Sequence, residues 1–248
     1  MVTLQVALNG DRTKNDHTSI PVSIEELASD AAECVAAGAQ LVHLHPRDGD
    51  GRESLEPSVV DQVVGRVRDA CGVPIGVTTG QWIEPDLERR LRLVSGWRGP
   101  DFTSVNVSEP GSFELMRMLI RIGVGIEAGV WSPDDAERLG ASGLGRQVTR
   151  ILVEPGMLQV GSSGEAELEM VDDIHRILDR FGLRVPRLQH GDGDVTWPLL
   201  EDAIRRGVDT RVGFEDTIYG PSGELAGGNA ALVRAARKLG AGTARGTD

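Results

Sequence analysis

What the chain lacks narrows its possible roles. Cysteine occurs only as Cys34 and Cys71, each inside a helical pattern. That is too little for a disulfide framework, and it predicts small core residues in a reduced, cytoplasmic compartment. No apolar run reaches the roughly 20 residues of a membrane span, so no membrane partner is expected. The opening MVTLQVALNGDR has neither the basic flank nor the small-residue cleavage site of a signal peptide. Cations are outnumbered, with 26 Lys and Arg against 38 Asp and Glu and a net charge of -12. With no basic stripe to release counterions from phosphates, a nucleic-acid role is excluded. The acidity reads as solubility. The glycines of GVGIEAG and GASGLG are too loosely spaced for nucleotide loops.

What is present is a repeated alternation. At 248 residues and 40% hydrophobic, the chain can bury the core of one large domain. Apolar runs predict strands at Thr3–Leu8, Leu41–His45, Ile75–Thr79, Phe102–Asn106, Gly125–Ala128, Arg150–Val153, Val185–His190 and Thr210–Phe214. Between them, apolar residues at i, i+3, i+4 and i+7 predict helices over Ile24–Ala37, Ser58–Ala70, Asp86–Val94, Phe113–Ile122, Pro133–Leu139, Glu165–Phe181, Trp197–Arg206 and Gly228–Leu239. Ser23 with Glu26 forms a capping-box signal, Ser132-Pro133 an N-cap with proline at N1, and Gly38 and Gly182 are stop signals. Strands alternating with helices over short connections indicate a parallel sheet. The expectation is an α/β fold, a single-domain (β/α)8 TIM barrel over residues 1–248, with a doubly wound open sheet as the alternative.

His43 and His45 are separated by one residue on a predicted strand, so their side chains leave the same face. Glu215 and Asp216 end the apolar run Val208–Phe214. Two imidazoles and one carboxylate are a ligand set for zinc or a related divalent ion with an open coordination position. In a barrel, strands two and eight are separated only by strand one, and active sites lie at the C-terminal strand ends. The same rim would carry Asn9-Gly10-Asp11, Thr78-Thr79-Gly80, Ser104, Asn106, Glu127, Glu154 and His190-Gly191-Asp192. Taken singly, each of these reads most simply as a turn or cap residue.

HLHPRD after an Ala-Gly-Ala turn, TTG after strand three, S-x-N on strand four and R-x-G-x-E-D at strand eight together resemble the β-keto acid cleavage enzymes. The resemblance runs from ALNGDRTK to GELAGGNAALVRAARKLG, nearly the whole chain. It implies a zinc-containing (β/α)8 barrel, one Zn2+ per chain, that condenses a β-keto acid with acetyl-CoA to give acetoacetate and a new acyl-CoA. It also implies a homo-oligomer, a tetramer by resemblance. Carried over, His43, His45 and Glu215 match the zinc ligands, Asp216 the catalytic acid/base, and Arg211 the cation that orients it. Thr78 matches a loop hydroxyl, and Ser104 a threonine of the substrate pocket. The chemistry is coherent, since a Lewis acid at the keto oxygen would take up charge while a carboxylate held by a guanidinium removes the α-proton.

The chain also departs from that pattern. Arg12 stands where an acid is usual, with Asp11 one place early, and Gly129 replaces the second acid of the fifth-strand motif, leaving Glu127. Asp11, Arg12, Ser104, Asn106 and Glu127 are therefore the expected substrate-binding positions. Loss of negative charge, with Arg12 and Arg47 nearby, predicts a neutral or anionic substrate tail. Trp82, Trp131 and Trp197 fall past strand ends and are candidates for the pocket wall. A Schiff-base aldolase would need a strand lysine, and the chain offers only Lys14 and Lys238. A binuclear amidohydrolase would need histidines that His17, His175 and His190 do not supply. The alternatives left are another metal-dependent barrel lyase or hydrolase working through an enolate, or a non-catalytic metal-containing keto-acid binder.

Overall fold

The computed structural model describes residues 2–155 and 164–242. Its strands are β1 Leu4–Ala7, β2 Leu41–Leu44, β3 Ile75–Thr78, β4 Phe102–Asn106, β5 Gly125–Val130, β6 Arg150–Val153, β7 Arg187–Gln189 and β8 Asp209–Val212. The helices are α1 Ile24–Ala37, α2 Pro57–Cys71, α3 Leu87–Ser95, α4 Ser112–Ile122, α5 Pro133–Ala141, α6 Gly164–Arg180, α7 Thr196–Arg206 and α8 Asn229–Leu239. All strand pairs are parallel in sequence order, and β8 pairs β1 (Gln5 with Arg211, Val6 with Val212), so the sheet closes into a (β/α)8 barrel. This closure sets aside the open-sheet alternative. Among the described residues no helix is long and apolar enough to cross a membrane.

Local chemistry explains the element ends. Ser23 and Glu26 form the expected reciprocal box at α1, Ser132 caps α5 ahead of Pro133, and Gly38 ends α1 at φ 117°, a left-handed conformation that suits glycine. The valines of α2 (Val60, Val63, Val64, Val67) form one fully buried stripe against the sheet. The barrel interior is not wholly apolar. Gln5 Nε2 donates to both Glu127 oxygens at 3.1 and 3.2 Å, and Arg150 lies 3.2 Å from Glu127. This is a paired buried layer, the condition under which such groups are tolerated.

Five strands (β1, β2, β3, β7 and β8) are shorter than expected, and the early end of β8 shapes the site. It stops at Val212, because the Gly213 carbonyl accepts from the amides of both Asp216 and Thr217 at 2.9 Å and turns the chain. Gly213 makes that turn possible: a Cβ there would lie 1.9 Å from the Ala7 carbonyl oxygen. An extended strand would send Glu215 and Asp216 to opposite faces, whereas the turn presents both to the barrel mouth.

Candidate metal centre and cavity

His43 sits on β2 and His45 one residue beyond its end, with ring centroids 5.4 Å apart. The turn after β8 brings Glu215 over them. Its Oε2 is 3.5 Å from His43 Nε2 and its Oε1 is 3.6 Å from His45 Nε2. Tetrahedral zinc with bonds near 2.1 Å separates its ligand atoms by about 3.4 Å, so these spacings fit. Among the described residues these are the only three His, Cys, Asp or Glu side chains grouped to hold an ion. Glu215 Oε2 is also buried with no hydrogen-bond partner, as expected of an atom reserved for a cation.

The surroundings orient these ligands. His45 Nδ1 lies 2.5 Å from Glu53 Oε1, a carboxylate–histidine pair that fixes the ring and leaves Nε2 toward Glu215. The His45 backbone is braced by Asn9, whose side chain donates to its carbonyl at 3.0 Å and accepts from its amide at 2.9 Å. Burial pushes His43 down to about 3, leaving it neutral with a free lone pair. His45 feels the same burial, but Glu215 and Glu53 outweigh it and lift it to about 9. An ion bound there would have to displace that proton.

The adjacent carboxylates occupy different environments. Burial works to raise Glu215, yet Arg211, His43 and His45 hold it well below the ordinary carboxylate range. Burial raises Asp216 above that range against the pull of Arg211. Arg211 bridges the two, with Nη2 at 2.6 Å from Asp216 Oδ1 and 3.1 Å from Glu215 Oε1. One carboxylate is thus kept ionised and its neighbour kept more basic, a division that suits a ligand beside a proton acceptor. The Asp216 main chain is fixed as well, its carbonyl accepting from Gly193 N at 2.8 Å.

These groups open onto a cavity of about 300 Å³ walled by Asp11, Arg12, Trp82, Trp131 and Asp192, with His45, Arg211, Glu215 and Asp216 at its base. Trp82 stacks 6.1 Å from the His45 ring and donates from Nε1 to Glu53 at 3.1 Å. Trp197 does not join the wall: it is core, donating to the Tyr219 carbonyl at 3.0 Å.

Several expected site residues are engaged elsewhere. The Thr78 hydroxyl accepts from Gly80 N at 3.0 Å in the turn after β3, and Asn106 donates to Glu109 at 2.8 Å. Ser104, half-buried on β4, pairs with Glu127 in register, and Glu127 belongs to the interior layer with Gln5 and Arg150. None of these four lines the cavity among the described residues. Arg12 does, but its guanidinium is 3.5 Å from Asp192 and donates to the carbonyls of Glu215 and Asp216. Arg47 is buried and clamps the first loop through the carbonyls of Gly10 and Arg12. The space beside Gly129 is occupied by Glu154, just past the end of β6.

Sequence reasoning missed Glu53, whose only signal was an acid eight residues after His45. It lies at the far end of a loop closed by an antiparallel bridge between Arg47 and Glu53. It noted Glu154 and His190 as rim groups without giving either a role. The two lie against each other, with His190 Nε2 3.2 Å from Glu154 Oε2, and His190 Nδ1 is 3.6 Å from Asp216 Oδ1.

Fold and site together define a (β/α)8 barrel with a His-His-Glu candidate metal centre beside an Arg-held carboxylate. The family description that matches residues 1–246 is beta-keto acid cleavage enzyme, and the chain belongs to that family of enzymes. It is 26% identical over 243 residues to the 3-keto-5-aminohexanoate cleavage enzyme of Acetoanaerobium sticklandii, covering 92% of this chain and 86% of that protein. It is 26% identical over 265 residues to the 3,5-dioxohexanoate:acetyl-CoA acetone transferase of Paraburkholderia graminis, covering 89% of this chain and 83% of that one. Among solved structures, the ternary complex of ObcA with C4-CoA adduct and oxalate superposes with a TM-score of 0.66 at 16% identity. That match covers 89% of this chain and 63% of the other and concerns the fold.

Proposed function

We propose that this enzyme condenses a β-keto acid with acetyl-CoA, releasing acetoacetate and the acyl-CoA of the remaining substrate, with one zinc ion held by His43, His45 and Glu215. The observation that carries the proposal is that two of those ligands, His45 and Glu215, line one cavity together with the Arg211–Asp216 pair, with His43 grouped beside them. Relatives named as a 3-keto-5-aminohexanoate cleavage enzyme and as a 3,5-dioxohexanoate:acetyl-CoA acetone transferase support the same substrate classes.

When bound, zinc would supply Lewis-acid stabilisation of charge at the keto oxygen. The chain's own groups do the rest. Asp216, raised by burial and fixed by Arg211, removes a proton from the carbon between carboxylate and ketone. That carbon attacks the thioester and expels the CoA thiolate, which adds to the original keto carbon and breaks its bond to the α-carbon. Asp216 returns the proton as acetoacetate and the new acyl-CoA part. Arg211 keeps the carboxylate turned toward the cavity and offsets the charge of Glu215. Trp82 and Trp131 form apolar walls that limit water around a reactive carbanion. A screen of β-keto acids with acetyl-CoA, following acetoacetate and free thiol, tests the reaction. Acetoacetate formation with at least one acid is expected, and thiol release without it would indicate simple thioester hydrolysis. Metal analysis of protein purified without chelator should give close to one zinc per chain.

A further inference from the structure

The reaction above leaves one buried group beside Asp216 without a role. His190 follows β7, is 1% exposed, and neither ring nitrogen completes a hydrogen bond. The ring lies between two carboxylates, Glu154 at 3.2 Å from Nε2 and Asp216 at 3.6 Å from Nδ1. Glu154 is itself buried, and its Oε1 has no partner.

The arrangement depends on a position in a third strand. A Cβ on Gly129 of β5 would lie 2.4 Å from Glu154 Oε1 and 2.6 Å from Asn106 Oδ1. The absence of a side chain at residue 129 therefore makes the room that Glu154 occupies. An ionised carboxylate only accepts hydrogen bonds, and a neutral imidazole has a single N–H. The ring therefore has a carboxylate acceptor on each side.

We infer that His190, backed by Glu154, is a positioning residue for Asp216: its ring donates to the Asp216 carboxylate and holds it at the angle needed to take the substrate proton. The inference rests on the proposed reaction. Arg211 also holds this carboxylate, through Nε at 3.1 and 3.3 Å and Nη2 at 2.6 Å, and shares Nη2 with Glu215. Within ion-pair distance, the charged neighbours of His190 are Asp216 and Glu154, and neither belongs to the ligand group.

The test uses the metal-loaded enzyme and acetoacetate in deuterated water without acetyl-CoA, following exchange of the α-protons by NMR. His190→Ala should retain its metal and melting temperature and slow exchange by about 10- to 100-fold, the usual cost of removing an orienting partner. Its KM should change little and the pH profile of exchange should move, which loss of a purely structural contact would not cause. His190→Gln, with one N–H donor, should recover part of the rate. Gly129→Ala, which expels Glu154 without altering a titratable group, should slow exchange in the same direction. His190→Ala or Gly129→Ala exchanging at the wild-type rate with the wild-type pH profile would overturn the inference. A wild-type enzyme that accelerates no exchange would overturn the proposed reaction, and the inference with it.

Discussion

Asp30→Asn should stabilise the protein at neutral pH and leave it unchanged in acid. Asp30 lies on α1, and its carboxylate accepts from Asn229 Nδ2 at 2.6 Å. The same Asn229 donates to the Leu8 carbonyl at 2.7 Å and accepts from Phe214 N at 2.6 Å, so it ties the first strand to the segment just before Glu215. Burial raises Asp30 from 3.8 to about 6, against the bond from Asn229. At about 1.4 kcal/mol per pH unit, that difference is worth up to about 3 kcal/mol. Below about pH 3 the carboxyl is protonated in folded and unfolded chains alike, and nothing is lost. As pH rises toward about 6 the unfolded chain releases its proton while the folded chain keeps it, so stability falls and then levels off. An asparagine side-chain oxygen can still accept from Asn229 but carries no charge to bury. Urea unfolding at about pH 3 and about pH 7 should therefore show no difference at the first and up to about 3 kcal/mol in favour of the variant at the second. An equal difference at the two pH values, or a less stable variant at neutral pH, would refute the reasoning.

The other predictions concern the site. His43→Ala and His45→Ala should each abolish stoichiometric zinc by metal analysis, whereas Asp216→Asn should keep the ion and lower turnover by about two to four orders of magnitude. Glu53→Gln should weaken zinc affinity by about 10- to 100-fold in a chelator competition, because it leaves the His45 ring without its charged partner. Stripping the metal should lower the melting temperature, and free zinc at about 100 times its dissociation constant should restore about 2.7 kcal/mol. An unchanged melting temperature would argue against a centre that forms only in the folded chain.

The barrel was legible because its signals are local. Period-3.6 stripes such as Val60, Val63, Val64 and Val67, the Ser23–Glu26 box and apolar runs bounded by glycine each depend on neighbours a few residues away. Every predicted strand and helix is present with ends moved by a few residues. The pairing of His43 with His45 was equally local, since it needed only a strand's period of two. Family motifs joined Glu215, Asp216 and Arg211 to those histidines across most of the chain.

The sequence by itself thus determined the element order, the eight-fold alternation and the identity of the three candidate ligands, because periodicity and motif spacing survive in one dimension. Only the tertiary structure decided which neighbours those groups meet. The turn at Gly213 that lets Glu215 and Asp216 face one cavity follows from the approach of β1, whose Ala7 carbonyl leaves no room for a side chain. Glu53 reaches His45 only because a loop folds back, and Glu154 occupies the space left at Gly129 only because β5 and β6 are adjacent in the barrel. Thr78, Asn106 and Glu127 carry suggestive chemistry in the sequence but are committed to a turn, to Glu109 and to an interior ion pair. The physical reason is common to all of them. A polar side chain's role is set by the partner within about 3 Å of it, and residues far apart in sequence reach that distance only through packing.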